Sequence, residues 1–596
     1  MHGISYTAFF TEKIKKDTDF MKNHFNIKLF RSLCLTTAVV LLTGMFFSLP
    51  LKALAEAEET DKYLSIGIYE DGAVTIEKDD EEIHEWGGSS ALFVMLSLMQ
   101  LKEEGLIDED KPVTDYMPDE VSMRFLFSYP VTVNNILNHT TGLQDASTGQ
   151  VMLEGERFTS LADVLANNMP RQNFKSGDYV SYSDWGITLG AYLVECVSGK
   201  SYPEYVHEKI LKPLGMEHTS VLYDYSDCEY VAKKMSEKTN VKFGFYPAYS
   251  SCGTMEDFMI LMEDLAGGKS KILKSETVSE LSKGTLLYRG TDIPRISNGL
   301  AFYYEYESPC LGLRSNNYNS VTHFYIDVVN HKAVVIVDKN PSDSQGIFES
   351  KKYLGRNDQN ADKDSFSYNI SQMEGFYLRA GATVRGKSSF LSLMDGVTFK
   401  AFDDHGLSVS SNPKEAYLTQ ISENGFVSEA GDMGYFYTDG ANRGIIQYPL
   451  LDLVPYPKAL NNLRVLLSVF YYLSLVYSFG ALLVGLVSFI SRKAKKGKKP
   501  PAFRKFNLIT CGTVLFHGIV FMVMIMTFLM GINNQIANVA TMMFFFGTLI
   551  SFIYIVFLIR TGRKENCSKN EKIGYFATAV ACVATILFSF VFHLMF

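Results

Sequence analysis

Four apolar runs in the C-terminal quarter of the chain limit its fold more than any other feature. Residues 465–490, 506–531, 536–559 and 573–596 each suffice to cross a hydrocarbon core of about 30 Å, and none contains Asp, Glu, Lys or Arg. Lipid offers the backbone no hydrogen-bonding partner, so such runs must be helical, and four spanning helices are expected. The connection 491–505 carries eight Lys or Arg residues, and 560–572 carries Arg560, Arg563, Lys564, Lys569 and Lys572 against two glutamates, whereas 531–535 is uncharged. Basic loops stay cytoplasmic, so everything before residue 465 is expected outside, in a multi-pass cell-membrane protein with a large extracytoplasmic N-terminal part. Without intramembrane acids or bases, the bundle is read as an anchor rather than a transporter. His517 and His593, the imidazoles in these runs, are read as packed side chains.

The other end of the chain is consistent with that orientation. Lys22, Lys28 and Arg31 precede an apolar run at 33–51, followed by Ala53, Leu54, Ala55 and Glu56, the charged, apolar and small-residue regions of a secretory signal. Residues 1–57 are therefore assigned to targeting, with a mature start near Glu56; an uncleaved anchor is the alternative, and Met21 is an alternative start. A net charge of −9 leaves no basic face for a polyanion, so no nucleic-acid partner is expected. Outside the membrane, Cys196, Cys228, Cys252 and Cys310 lie far apart, and no Cys-x-x-Cys or His-x-x-x-His spacing occurs. No metal and no cofactor is expected.

Between the two ends the pattern changes twice. Residues 350–365 are polar and charged and read as a linker. From 366 to 455, short apolar alternations such as Gly375 to Ala380 and Gly434 to Thr438, broken by Gly, Asn and Asp, predict a small antiparallel β module, with Leu453 to Tyr456 leading into the membrane domain 456–596. Residues 58–349 remain as the principal domain.

That domain carries recognisable strings: LKEEGLIDEDKPV at 101–113, LNHTTGL at 137–143, Tyr182-Ser183-Asp184, VSGKSY at 197–202 and LKPLGM at 211–216. Together, and in this order, they resemble the serine β-lactamase / penicillin-binding-protein-related family, in its class C and esterase-like branch, over roughly residues 60–345. The resemblance implies an α/β (α+β) transpeptidase-like domain, and membrane-anchored relatives carry a similar small β module before their spanning helices. His139 matches the histidine of a common structural turn in that family.

In the family, an attacking serine begins a buried helix and a lysine three residues later shares its proton. Here a helix fits, since residues 92–101 are apolar nearly all round and Gly105 closes it. The family spacing, however, puts Gly88 at the serine and Ala91 at the lysine. Ser89 and Ser90 do not rescue the pair, because Leu92 and Phe93 stand three residues on. The Ser-x-x-Lys string at Ser411 to Lys414 contains Pro413 and is read as chance. Tyr182 matches the second motif, but Asp184 replaces its asparagine, and an ionised carboxylate donates no hydrogen bond and repels acidic ligands. For the third motif, Leu313 falls at the cationic or imidazole position, with Arg314 beside it as a candidate positive charge.

These readings lead to a membrane-anchored pseudoenzyme whose pocket candidates are Ser89, Ser90, Tyr182, Asp184 and Arg314. Cell-wall peptide or another D-amino-acid or ester compound is the ligand class that the resemblance implies. Two alternatives stay open: an active serine hydrolase or peptidase using Ser89 or Ser90, and an interaction or sensory subunit with a membrane-protein partner.

Overall fold

The computed structural model describes residues 64–77, 79, 83–152, 157–236, 242–316, 320–339, 345–357, 370–402, 406–411, 414–428, 432–438, 444–494, 502–531, 534–561 and 568–594. The expected signal segment, the second half of the linker and the centres of both basic loops lie outside these residues.

An eight-stranded antiparallel sheet organises the principal domain. Its strands are β1 (Leu64–Glu70), β2 (Ala73–Glu77), β6 (Leu286–Leu287), β7 (Pro294–Ser297), β8 (Leu300–Tyr303), β9 (Cys310–Asn316), β10 (Val321–Asp327) and β11 (Lys332–Asp338), in the order β2-β1-β11-β10-β9-β8-β7-β6. Three two-residue strands, β3 (His84–Glu85), β4 (Thr219–Ser220) and β5 (Cys252–Gly253), form a separate small sheet. Alternate residues of β10 and β11 enter different cores. Phe324, Ile326, Val335 and Val337 join the main cluster with α3 (Met255–Ala266), while Tyr325, Val334 and Ile336 join a second cluster with Leu354 of α4 (Gln345–Leu354). Burial on both faces explains why these strands read as continuous apolar runs. Residues 350–354, assigned above to the linker, are thus the second half of α4, held by Leu354 against the sheet.

Helix α1 (Ala91–Glu103) lies in the main core, and every residue from Ala91 to Leu101 is buried. Of its two polar core residues, Ser97 donates its Oγ to the Phe93 carbonyl, and Gln100 Nε2 donates to the carbonyls of Lys209 and Ile272 while Gln100 Oε1 has no hydrogen-bonding partner. Gly105, at φ +74°, supplies the left-handed residue that stops the helix. Helix α2 (Asp184–Ser198) packs across α1. Ser183 caps α2, its hydroxyl accepting from Gly186 N at 3.2 Å.

The expected β module is a closed antiparallel barrel of β12 (Gly375–Arg379), β13 (Val397–Ala401), β14 (Gly406–Ser411), β15 (Lys414–Gln420), β16 (Gly425–Ser428), β17 (Met433–Thr438), β18 (Gly444–Tyr448) and β19 (Leu451–Pro455). Pairing of β12 with β19, Tyr377 opposite Pro455, closes it and removes both edges. Leu453 to Pro455 therefore belong to the last barrel strand rather than to the approach to the membrane. Ser411 and Lys414 pair in register across the β14–β15 hairpin, so that Ser-x-x-Lys string lies on two strands and not on a helix.

Among the described residues, four helices are long and apolar enough to cross a membrane: α5 (Lys458–Ala494), α6 (Ala502–Leu529), α7 (Asn534–Thr561) and α8 (Lys569–Val591). Their short connections make successive helices antiparallel. Two compact units result: residues 466–520 and 543–590, and residues 64–465 together with 521–542 and 591–594. Within the first unit His517 is packed as expected, its Nδ1 3.0 Å from the Tyr471 hydroxyl and its ring against Phe544. His593 is not. Helix α8 ends at Val591, so this residue lies beyond the helix and is exposed.

Sheet and barrel are joined by a buried ion pair. Arg295 of β7 and Asp452 of β19 approach to 2.7 Å with side chains 1% and 2% exposed. Arg295 also donates to the Tyr448 and Pro449 carbonyls, and Asp452 Oδ2 accepts from Val180 N at 2.8 Å. Asp452 Oδ1, which faces the guanidinium, has no aligned hydrogen bond, so the contact there is Coulombic. Removing one partner of such a pair strands a charge in the interior. Arg295→Met is expected to lower stability by about 3–5 kcal/mol, and Arg295→Met with Asp452→Leu by much less. Thermal unfolding of the detergent-purified chain measures both; a loss below about 1 kcal/mol for the single variant would mean the pair is not desolvated.

Candidate functional site

Three chain segments meet at the start of α1. A 3-10 turn, Gly87–Ser90, leads into the helix, and Gly88 N donates to Ser315 Oγ of β9 at 2.5 Å. A Cβ at Gly88 would stand 2.9 Å from that oxygen and 3.7 Å from the Tyr182 hydroxyl. Tyr182 OH itself is 3.5 Å from the Gly88 carbonyl oxygen. Gly88, Tyr182 and Ser315 therefore converge.

The third-motif reading is corrected in register. Leu313 points into the main core at 2% exposure, and Ser315, two residues on along the same strand face, is the residue beside Gly88. Period-two alternation would have offered Ser315 as the other candidate on that face. Arg314, between them, points to the opposite face. It pairs with Glu305 and with Asp432 of the barrel, donates to the Tyr325 hydroxyl at 2.8 Å and lies over the Tyr303 ring. Four groups on the opposite face of the strand from Ser315 thus engage it.

Of the two serines beside Gly88, Ser90 is engaged elsewhere. Ser90 Oγ accepts from Ser251 N at 3.0 Å and from Ser251 Oγ at 2.6 Å, so it fastens the turn to a neighbouring loop. Ser89 is fully buried, and its hydroxyl has no hydrogen-bonding partner. Ala91 is fully buried in the main core.

The segment carrying Tyr182 is held from two sides. Val180 N donates to Asp452 Oδ2, Ser181 N to the His139 carbonyl at 2.8 Å and Tyr182 N to the Leu450 carbonyl at 3.1 Å. His139 adopts φ +53°, its ring lies 5.2 Å from that of Tyr182, and its Nε2 is 2.9 Å from the Gly299 carbonyl. A carbonyl only accepts, so Nε2 carries the proton. Burial lowers the His139 pKa to about 4, leaving the ring neutral at pH 7. Gly299 makes this contact at φ +92°, where a Cβ would fall 2.4 Å from Met95 Sδ of α1. His139 is thus a brace, in keeping with the structural turn expected of it.

Electrostatics change the reading of the second motif. Burial, then the negative charge of Asp145, raises the Asp184 pKa to about 7. Burial likewise raises Asp145 to about 6: Arg379 lies 3.1 Å away but is shared with Asp395 at 2.7 Å, so one guanidinium serves two carboxylates. Asp184 is therefore about half protonated near neutrality and, when protonated, offers a donor as an asparagine would. Its Oδ1 has no partner. Tyr182 is pushed well above the usual phenol range by burial, then by Asp184 and Tyr249, so it stays protonated and is no base at pH 7. The site offers hydroxyls, one backbone N–H and a protonatable carboxyl.

Residues 64–333 match the family model described as Beta-lactamase. Penicillin-binding protein PbpX of Bacillus subtilis is 28% identical over 147 residues, covering 24% of this chain and 34% of that one. The teichoic acid D-alanine hydrolase of Staphylococcus aureus is 26% identical over 196 residues, covering 30% of this chain and 47% of that one. The chain thus spans a third to a half of the length of these curated relatives. A penicillin-binding protein homologue from Pyrococcus abyssi superposes with TM-score 0.41 and 17% identity, covering 66% of this chain and 96% of that one.

The raised Asp184 pKa has a definite sign for stability. Between an ordinary carboxyl pKa of about 3.9 and about 7, the folded state binds more protons than the unfolded one, so stability falls as pH rises through that window and levels off above it. Asp184→Asn keeps the shape and removes the titration. Its melting temperature is expected to exceed that of the natural chain at pH 8 and to vary less between pH 5 and 8; equal slopes for the two proteins would show that Asp184 is solvated.

Proposed function

Because residues 64–333 belong to the serine β-lactamase / penicillin-binding-protein-related family, we infer that this chain is a membrane-anchored extracytoplasmic pseudoenzyme of that family, whose pocket binds a ligand without cutting it. Convergence of Gly88, Tyr182 and Ser315 carries this reading: the three motif segments meet, but the residue at the serine position has no side chain. Ala91 supplies no amine, and Tyr182 is held protonated. Members of such a catalytic constellation act as a unit, so little rate acceleration survives their joint loss. What remains suits recognition. The Tyr182 and Ser315 hydroxyls and a protonated Asp184 can hydrogen-bond a peptide or ester carbonyl. The ligand class that the family resemblance implies is a cell-wall peptide or another D-amino-acid or ester compound, and the name of the teichoic acid D-alanine hydrolase favours a D-alanyl ester.

Covalent labelling tests the reading directly. Neither a fluorescent penicillin nor a fluorophosphonate is expected to label the purified full chain faster than a heat-unfolded control. Stoichiometric attachment at Ser89, Ser90 or Ser315, located by mass spectrometry, would overturn it.

The orientation rests on the basic loops at 491–505 and 560–572. A cysteine placed at Asn533 should react with an impermeant maleimide in intact cells, and one placed at Gly497 should be spared. The opposite pattern would reverse the topology and place the pocket in the cytoplasm.

A further inference from the structure

One turn of the barrel domain touches the same end of all four spanning helices. It is the 3-10 turn Ser389–Leu393, in the connection from β12 to β13. Phe390 is buried edge-on against Phe521 of α6, with ring centroids 5.1 Å apart, and tilts against Phe528. Ser389 Oγ donates to the carbonyl of Phe592, just past α8. Arg464 of α5 donates to the Ser389 carbonyl and to Ser392 Oγ at 2.8 Å, and its guanidinium lies over the Phe592 ring. Lys387 donates to Asn538 of α7.

Cations gather around this turn. Arg171 lies beside Gly386, where an added Cβ would be 3.5 Å from its Nε. The charges of Arg171, Arg464 and Arg385 all act on His593, and that of Arg171 acts on Lys387. Arg171, Arg385 and His593 are exposed, whereas Arg464 is buried beneath them. Two carboxylates that face the same loop, Asp145 and Asp395, are engaged by Arg379. Cations gathered at one turn make a favourable place for an anion.

The place of the cluster indicates which anion. Helix α5 has 37 residues, about 55 Å at helical rise, well beyond a hydrocarbon core of about 30 Å, so its first turns reach the headgroup layer. At the same end, Met394, Leu529, Met530 and Val539 are exposed large apolar side chains. A phosphate beside the cations, with an acyl chain along these apolar residues, satisfies both. We propose that Arg171, Arg385 and Lys387 form a seat for the phosphate of an anionic lipid headgroup, which fastens the barrel turn to this face of the bilayer.

Native mass spectrometry of the full chain, delipidated in a nonionic detergent and offered equimolar phosphatidylglycerol and phosphatidylcholine, tests the proposal. Phosphatidylglycerol is expected to be retained preferentially. Each charge near an anionic surface contributes about five-fold, so the triple variant Arg171→Gln, Arg385→Gln, Lys387→Gln should lose at least tenfold of the preference and one retained lipid per chain. The charge-conserving pair Arg385→Lys, Lys387→Arg should keep both; if the triple variant fails to fold, Arg171→Gln set against this pair carries the test. Unchanged retention after neutralisation, or no preference in the natural chain, would overturn the proposal. So would displacement of the lipid by millimolar glycerol 1-phosphate, since the site would then select free phosphate.

Discussion

The Arg295–Asp452 pair is the contact on which the candidate site depends. It lies between a sheet strand and the last barrel strand, with both side chains almost fully excluded from water. Two charges cannot be desolvated cheaply, and the cost is recovered only if every remaining lone pair and proton finds a partner. Here the partners form the site's frame. Arg295 takes the carbonyls of Tyr448 and Pro449, at the turn between β18 and β19; Asp452 takes Val180 N; and the Leu450 carbonyl between them takes Tyr182 N. The barrel is therefore more than a spacer before the membrane helices. Its last hairpin sets the position of the tyrosine that faces Gly88.

A second constraint comes from α1. With eleven successive residues buried, from Ala91 to Leu101, the helix admits charge only at its ends. A lysine at position 91 would have to be desolvated and matched there, which in an active enzyme depresses its pKa and frees the base form. Ala91 carries no such cost. Ser315 occupies space beside the Gly88 backbone, with its hydroxyl 2.9 Å from where a side chain would begin. Restoring a serine at position 88 would first require Ser315 to move.

Legibility in the sequence followed the range of the interactions. Apolar runs without charge state a bilayer's demand locally, so the four spanning helices were readable to within a few residues at most ends. The fourth was not, because Phe592 and Leu594 continue the apolar pattern past the end of the helix at Val591. Helix α1 and its stop at Gly105 were equally local. Closure of the barrel was not, because it depends on Tyr377 meeting Pro455 across the whole module. The site was legible as segments but not as side chains. Neighbours on a strand face opposite ways, so a register error of two residues at β9 exchanged Ser315 for Leu313 and drew in Arg314 from the far face. No pattern around Asp184 discloses that Asp145 stands near enough to raise its pKa.

That carboxyl bears on whether the cleft is a relic. A pocket with no remaining use is free to fill with apolar side chains, since replacing buried polar groups by well-packed hydrophobic ones is neutral or stabilising. This one is still polar. It keeps an Asp184 oxygen without a partner, a second raised carboxyl at Asp145 that shares its guanidinium, and a Tyr182 phenol whose 3.5 Å approach to the Gly88 carbonyl is too long to be a strong bond. Each is a standing cost to the folded state, and none is needed by the Arg295–Asp452 frame that holds the segment in place. Groups that cost stability and brace nothing are what the proposed ligand pocket would use: their hydrogen bonds would be completed by the ligand we infer.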